Sequence, residues 1–186
     1  MDNSATMISI RPLTAADAAA YQALRLAALQ DAPTAFASSY EEECNRPLDK
    51  VAARLGPQPG ESCVFGAFVD GALVGMVGLK RDEHIKLAHK AFIWGVYVAP
   101  TMRGRGAGQK LMKAALDHAA SWPGLRQVYL GVNAVNQPAI RLYERMGFAT
   151  YGRESACMIV NGEAIDELLM VWILDDGRWT VGNGRG

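Results

Sequence analysis

The stretch Val96-Tyr97-Val98-Ala99-Pro100-Thr101-Met102-Arg103-Gly104-Arg105-Gly106-Ala107-Gly108 decides how this chain reads. An apolar run at 91–98 is stopped by Pro100, and a basic glycine turn follows. Helical spacing then begins, with Ala107, Leu111, Met112, Ala115 and Ala119 on one face. A strand, a glycine turn and a helix in that order make an anion site from backbone alone. The first amides of a helix have no carbonyl of their own to bond, and the helix dipole favours negative charge there. Glycine lets a phosphate approach the main chain, and Arg103 and Arg105 supply countercharge. The turn is not a dinucleotide fingerprint begun at Gly104, which needs glycine where Gln109 stands, and it lacks the Gly-Lys-Ser/Thr of a Walker loop.

Downstream, Ser121-Trp122-Pro123-Gly124 ends the helix, 127–132 reads as a strand, and 136–146 as a helix closed by Gly147. Strands at 148–160 and 164–174 join at Asn161-Gly162, and a Gly-rich tail with Trp179 as its one anchor fills 175–186. Upstream, 7–11 alternates as a strand stopped by Pro12. Thr14 and Asp17 then form a capping-box variant ahead of a helix with Tyr21, Leu24, Ala28 and Leu29 on one face. A second helix lies within 37–55, closed by Gly56-Pro57-Gln58-Pro59-Gly60. Strands at 62–69 and 72–80 turn about Asp70-Gly71. The sum is seven strands and four helices: one mixed α/β domain over 1–186, with its core at 7–174.

The composition sets the class. The chain has 186 residues, half of them hydrophobic and a fifth charged, as in a folded soluble domain. Lysine plus arginine equals aspartate plus glutamate at 19 each, so no global charge recruits nucleic acid or a membrane surface. Cys44, Cys63 and Cys157 fit neither a zinc pattern nor a disulfide framework and read as small apolar residues in a reducing cytosol. The apolar stretch 63–79 is broken by Asp70-Gly71 and is a buried hairpin, not a spanning helix. The start Met1-Asp2-Asn3-Ser4 lacks the basic residues of a signal peptide, and a cytoplasmic location is expected.

Arg103-x-x-Gly106-x-Gly108 after Val96-Tyr97-Val98 resembles the pyrophosphate-binding motif of the GNAT superfamily of acyl-CoA-dependent N-acyltransferases. The run Asn136-Gln137-Pro138-Ala139-Ile140-Arg141-Leu142-Tyr143-Glu144-Arg145-Met146-Gly147-Phe148 resembles that superfamily's second signature, and the element order is similar along nearly the whole chain. The resemblance implies a central, mostly antiparallel seven-stranded sheet whose fourth and fifth strands splay into a V. Acetyl-CoA would lie in the V as co-substrate. Val96 and Val98 would lend it main-chain bonds, Arg103, Gly104, Arg105, Gly106, Ala107 and Gly108 would wrap its pyrophosphate, and Asn136 would bond near its thioester. Asn136 also suits a helix N-cap. The implied activity is direct acetyl transfer, without a metal, to a primary amine of a small molecule, peptide or protein, by a monomer or homodimer.

The chemistry asks for an acid and a base. Amine attack on a thioester expels a thiolate, which leaves more readily if protonated. A tyrosine of pKa about 10 keeps its proton at neutral pH, and Tyr143 occupies the matching position of the second signature. An alkylamine of pKa about 10.4 is neutral in about one molecule in 2,500 at pH 7, so a base is wanted. The strand segment Phe92-Ile93-Trp94-Gly95, where many members of the superfamily carry a glutamate, has no carboxylate. Glu167 is the candidate for base or acceptor contact. Asp166 beside it must face the other way. Glu83, His84 and His89 precede the strand and read as surface residues, as do Arg141, Arg145 and Arg153. Trp94, Trp122 and Trp172 read as packing. The missing strand carboxylate also fits a rival, a module that binds acyl-CoA without turning it over. A second rival is a regulator whose glycine loop holds a nucleotide phosphate.

Overall fold

The computed structural model describes residues 7–56 and 58–174. The start at 1–6, Pro57 and the tail at 175–186 with Trp179 lie outside the described residues. Seven strands form one sheet: β1 (Ser9–Pro12), β2 (Ser62–Val69), β3 (Ala72–Arg81), β4 (Lys90–Val98), β5 (Gln127–Asn133), β6 (Ala149–Val160) and β7 (Glu163–Ile173). Their order is β1-β2-β3-β4-β5-β7-β6. Every neighbouring pair is antiparallel except β4 with β5. Helices are α1 (Ala18–Asp31), α2 (Tyr40–Glu43), α3 (Leu48–Leu55), α4 (Ala107–Ala120) and α5 (Gln137–Arg145).

There are five helices among the described residues, not four, because the single helix expected within 37–55 is split by Pro47. Proline has no N–H to continue a helix but suits its start. The Pro47 carbonyl accepts from Lys50 at 3.0 Å and begins α3. Ahead of it Ser39 caps α2, with Glu42 reaching back to the Ser39 N–H at 2.7 Å. The same device opens the first helical segment: Asp17 accepts from the Thr14 N–H at 2.8 Å.

The sheet is buried on both faces. Leu111, Met112, Ala115 and Ala119 of α4 pack on one side with Val77, Leu79, Ala91 and Ile93, and Tyr143 of α5 belongs to the same cluster. Tyr21, Leu24, Ala28 and Leu29 of α1 pack on the other side with Val51 and Leu55 of α3. The anchors read from helical spacing are therefore buried as expected.

Two irregularities in β4 make room for a site. Met76 pairs with Tyr97 and Gly78 with Trp94, so Val77 alone opposes both Gly95 and Val96. This is a β-bulge, and Gly95 takes the positive φ of +63° that it requires. The bulge resets the alternation: Ala91 and Ile93 face α4, whereas Trp94 and Tyr97 both face α1. The second irregularity is a split. β4 and β5 pair only at Lys90–Gln127, Ala91–Val128 and Phe92–Tyr129, and then diverge. The V implied by the resemblance lies between the fourth and fifth strands.

Candidate active site

The split opens into a cavity of about 740 Å³, walled by β4 from Ile93 onward, β5 from Leu130 to Asn133, the glycine loop and one face of α5. Val96 and Val98 line it. Beyond Phe92 the edge of β4 that faces β5 has no strand partner, so its N–H and C=O groups are open to an extended amide-bearing ligand.

Gly104, Gly106, Ala107 and Gly108 line the same cavity. Gly106 is the N-cap of α4 at φ +83°, and nothing stands within 4 Å of where its Cβ would be. The Lys110 N–H donates to the Gly106 carbonyl at 3.0 Å, so the amides from Gly106 to Gln109 precede the first carbonyl that the helix offers. Gly108 serves packing as well: a Cβ there would lie 3.2 Å from Leu142 Cδ2, so glycine sets the approach of α4 to α5.

The two loop arginines differ. Arg103 lines the cavity, with Nε donating to the Val98 carbonyl at 3.0 Å and Nη2 paired with the Asp31 carboxylate at the end of α1. Tyr97 Oη donates to the same carboxylate at 3.2 Å. The Arg103 guanidinium holds the Asp31 carboxyl below the usual carboxylate range, and burial pushes the Tyr97 phenol up, with Asp31 adding to it. Arg105 is exposed and is not part of the cavity wall, because it sits between two glycines at positive φ that turn it outward.

Asn136 lines the cavity and caps α5, its Oδ1 accepting from the Ala139 N–H at 3.3 Å. Tyr143 is 6% exposed, lines the cavity, and packs its ring 6.0 Å from that of Phe148. Burial pushes its phenol well above the ordinary tyrosine value. Among the described residues its hydroxyl has no hydrogen-bond partner.

Glu167 enters from β7 and is half-buried. Its carboxylate lies over the backbone of Gly131, where a Cβ would meet Oε2 at 2.4 Å. Desolvation raises its pKa; the Cys157 thiol lowers it and the Glu154 charge raises it further. Asp166 faces away, accepting from the Ala156 N–H at 2.9 Å and pairing with Arg153 at 2.7 Å. Glu83, His84 and His89 lie outside the cavity wall.

Spacing missed four contributors. Arg141 and Arg145, read as a solvated face, are exposed yet line the cavity, and their i, i+4 separation on α5 was the available signal. Asp31 had none, being 72 residues from its partner. Trp94, read as packing, also forms part of the wall. The cysteines are free and half-buried, and burial pushes the Cys63 thiol up to about 11. No helix among the described residues is long and apolar enough to cross a membrane.

Residues 25–148 match the model of the acetyltransferase (GNAT) family. The chain is 36% identical over 123 residues to a streptothricin acetyltransferase from Streptomyces lavendulae, an alignment covering 62% of this chain and 65% of the relative. It is 28% identical over 117 residues to an L-amino acid N-acetyltransferase from Escherichia coli, covering 63% of this chain and 71% of that one. The chain thus spans just under two thirds of the first relative's length. A putative acetyltransferase from Salmonella typhimurium, solved with its cofactor acetyl-CoA, shares the fold with a TM-score of 0.75 at 22% identity, over 91% of this chain and 95% of that chain.

Proposed function

Because the chain belongs to the acetyltransferase (GNAT) family, we propose that it transfers an acetyl group from acetyl-CoA directly to a primary amine of a small molecule, peptide or protein. One observation carries the reading: the split between β4 and β5 gathers a free strand edge, a glycine-capped helix start and a buried tyrosine around one cavity. That set fits an acyl-CoA in chemistry. The strand edge suits the amides of a pantetheine arm, the α4 amides suit a pyrophosphate, and the open space above Gly106 is room that a side chain would fill. Arg141 and Arg145 at the rim suit further phosphate charge. The names of the relatives add support, one being an acetyltransferase of streptothricin and the other an N-acetyltransferase of L-amino acids.

In the proposed reaction the amine nitrogen attacks the thioester carbonyl carbon, a C–N bond forms and the C–S bond breaks. The Tyr143 hydroxyl gives its proton to the departing sulfur; its raised pKa keeps that proton available through neutral pH. Glu167, in the same cavity, takes the ammonium proton directly or through a water, its half-buried carboxyl poised by desolvation nearer to neutrality. Gly131 leaves the carboxylate its place.

Incubation with acetyl-CoA and a mixed library of amines and peptides tests the reading, with free thiol and acetylated products measured together. Stoichiometric thiol and N-acetyl product is the expected result. Tight acetyl-CoA binding with no thiol released from any mixture would overturn it in favour of a non-catalytic acyl-CoA-binding module.

A further inference from the structure

Arg25, in the middle of α1, is 6% exposed and no carboxylate pairs with it among the described residues. The nearest buried acid, Glu43, is taken by Arg46 at 2.9 Å and Arg54 at 3.7 Å. The Arg25 guanidinium lies 4.6 Å over the Phe36 ring and Nη2 donates to Ser38 Oγ at 2.9 Å, but Nη1 is buried without a partner. A buried guanidinium with half its fork unused is costly, and such groups are normally matched by an anion.

Its surroundings say where that anion would come from. At Gly95, the residue of the β4 bulge, the only heavy atom within 4 Å of an added Cβ is Arg25 Nη1, at 3.8 Å. Apart from its chain neighbours, the group set against the bulge is therefore the unused edge of the guanidinium, in van der Waals contact with no side chain between them. Gly95 and Phe36 belong to the wall of the main cavity. Phe36 and Ser38 belong to a second cavity of about 610 Å³, between the 33–41 segment and the tip of the β6–β7 hairpin. Arg25 thus lies behind the wall that the two cavities share. Ser38 Oγ accepts from Nη2, which leaves its own hydrogen free to donate.

We propose that Arg25 and Ser38 read a carboxylate on the acceptor, so that the amine acetylated is that of an amino acid or a similar amino carboxylate. This rests on the acetyl-transfer reading above. The acceptor carboxylate takes Nη1 as the second half of the guanidinium fork and the Ser38 hydroxyl as a further donor, while its amine is directed along β4 past Gly95 to the thioester.

The test uses the full chain, acetyl-CoA and the common L-amino acids, each beside its carboxamide and its decarboxylated amine. The carboxamide has a more acidic ammonium than the amino acid and the decarboxylated amine a less acidic one, so preference over both reports the carboxylate itself. Wild type is expected to favour at least one amino acid by about tenfold or more in kcat/KM. Arg25→Gln is expected to abolish that preference through acceptor KM and to leave acetyl-CoA affinity unchanged, and Ser38→Ala to weaken it partly. Equal use of amino acid and decarboxylated amine by wild type, or an equal fall for all three in Arg25→Gln, would overturn the proposal while the acetyl-transfer reading stands.

Should acetyl-CoA bind and nothing be acetylated, the acetyl-transfer reading fails, and binding of N-acetyl amino acids against their amides to the CoA-loaded protein decides the rest. A carboxylate preference lost in Arg25→Gln supports the site, and no preference overturns it. Circular dichroism checks each fold. If Arg25→Gln does not fold, the wild-type preference and its loss in Ser38→Ala decide.

Discussion

Replacing Tyr143 by phenylalanine keeps the ring against Phe148 and removes only the hydroxyl, so packing and proton donation separate cleanly. With a true acceptor and a chemistry-limited assay, kcat should fall by about a hundredfold while acetyl-CoA affinity holds. Wild-type turnover would return the proton transfer to water. Glu167 makes a pH-dependent prediction. A base must be unprotonated, and burial raises this carboxyl, so kcat/KM should decline as pH falls through that raised value. Glu167→Gln should be slow with the acid limb gone, and Gly131→Ala, whose Cβ would displace the carboxylate, should slow turnover without weakening acetyl-CoA. An unchanged pH profile in Glu167→Gln would remove it from the proton path. At this scale the sequence was legible where a motif fixed a residue type, as at Gly106, Asn136 and Tyr143. It was silent where partners meet only in three dimensions: neither Asp31 beside Arg103 nor the buried half-paired Arg25 has a local signal.

The glycine loop is tied to the end of α1 through Asp31 and to its own strand through the Val98 carbonyl, with Arg103 making both links. The loop's order therefore depends on a helix far away in the sequence. Arg103→Ala should weaken acetyl-CoA about tenfold, the low end of a charge-assisted contact. If the arginine acts by holding the loop, Asp31→Ala should weaken it similarly and the double variant should be no worse than either alone, as calorimetry can read. Additive losses would mean that the two side chains act separately. Elements were read well where periodicity was strong: the strands at 62–69 and 72–80 match within one residue, and the α4 face is the buried one. The helix expected within 37–55 divides in two because its apolar spacing continues across Pro47, where the main chain cannot. The bulge at Gly95 was invisible because it depends on register against β3, which one strand's sequence does not carry.

For the whole molecule, two sets of titrating groups bound the stable pH range. Tyr143 and Tyr21 are buried with phenols raised above the ordinary value. Their neutral forms suit the fold, so that contribution is intact below about pH 10 and is lost as pH rises beyond it. Asp31 and Asp166 are lowered, by Arg103 and by the Ala156 N–H first of all, so their contribution is present above about pH 4 and is lost on acidification. Thermal unfolding across pH should show both declines, and Tyr143→Phe should soften the alkaline one; an identical alkaline decline would exclude this tyrosine from it. The three-pair seam between β4 and β5 has a consequence of another kind. Past Phe92 the sheet carries two raw borders in its middle, of the sort that other proteins keep at their margins and guard against strand addition. A ligand lying along them works as a missing strand, so in the empty protein those amides of 94–98 that point toward β5 should exchange sooner than the paired amides of β2 and β3, and the protein should self-associate more readily on warming. Acetyl-CoA should suppress both, and rapid exchange at 94–98 that persists under saturating acetyl-CoA would show that the seam stays unmended.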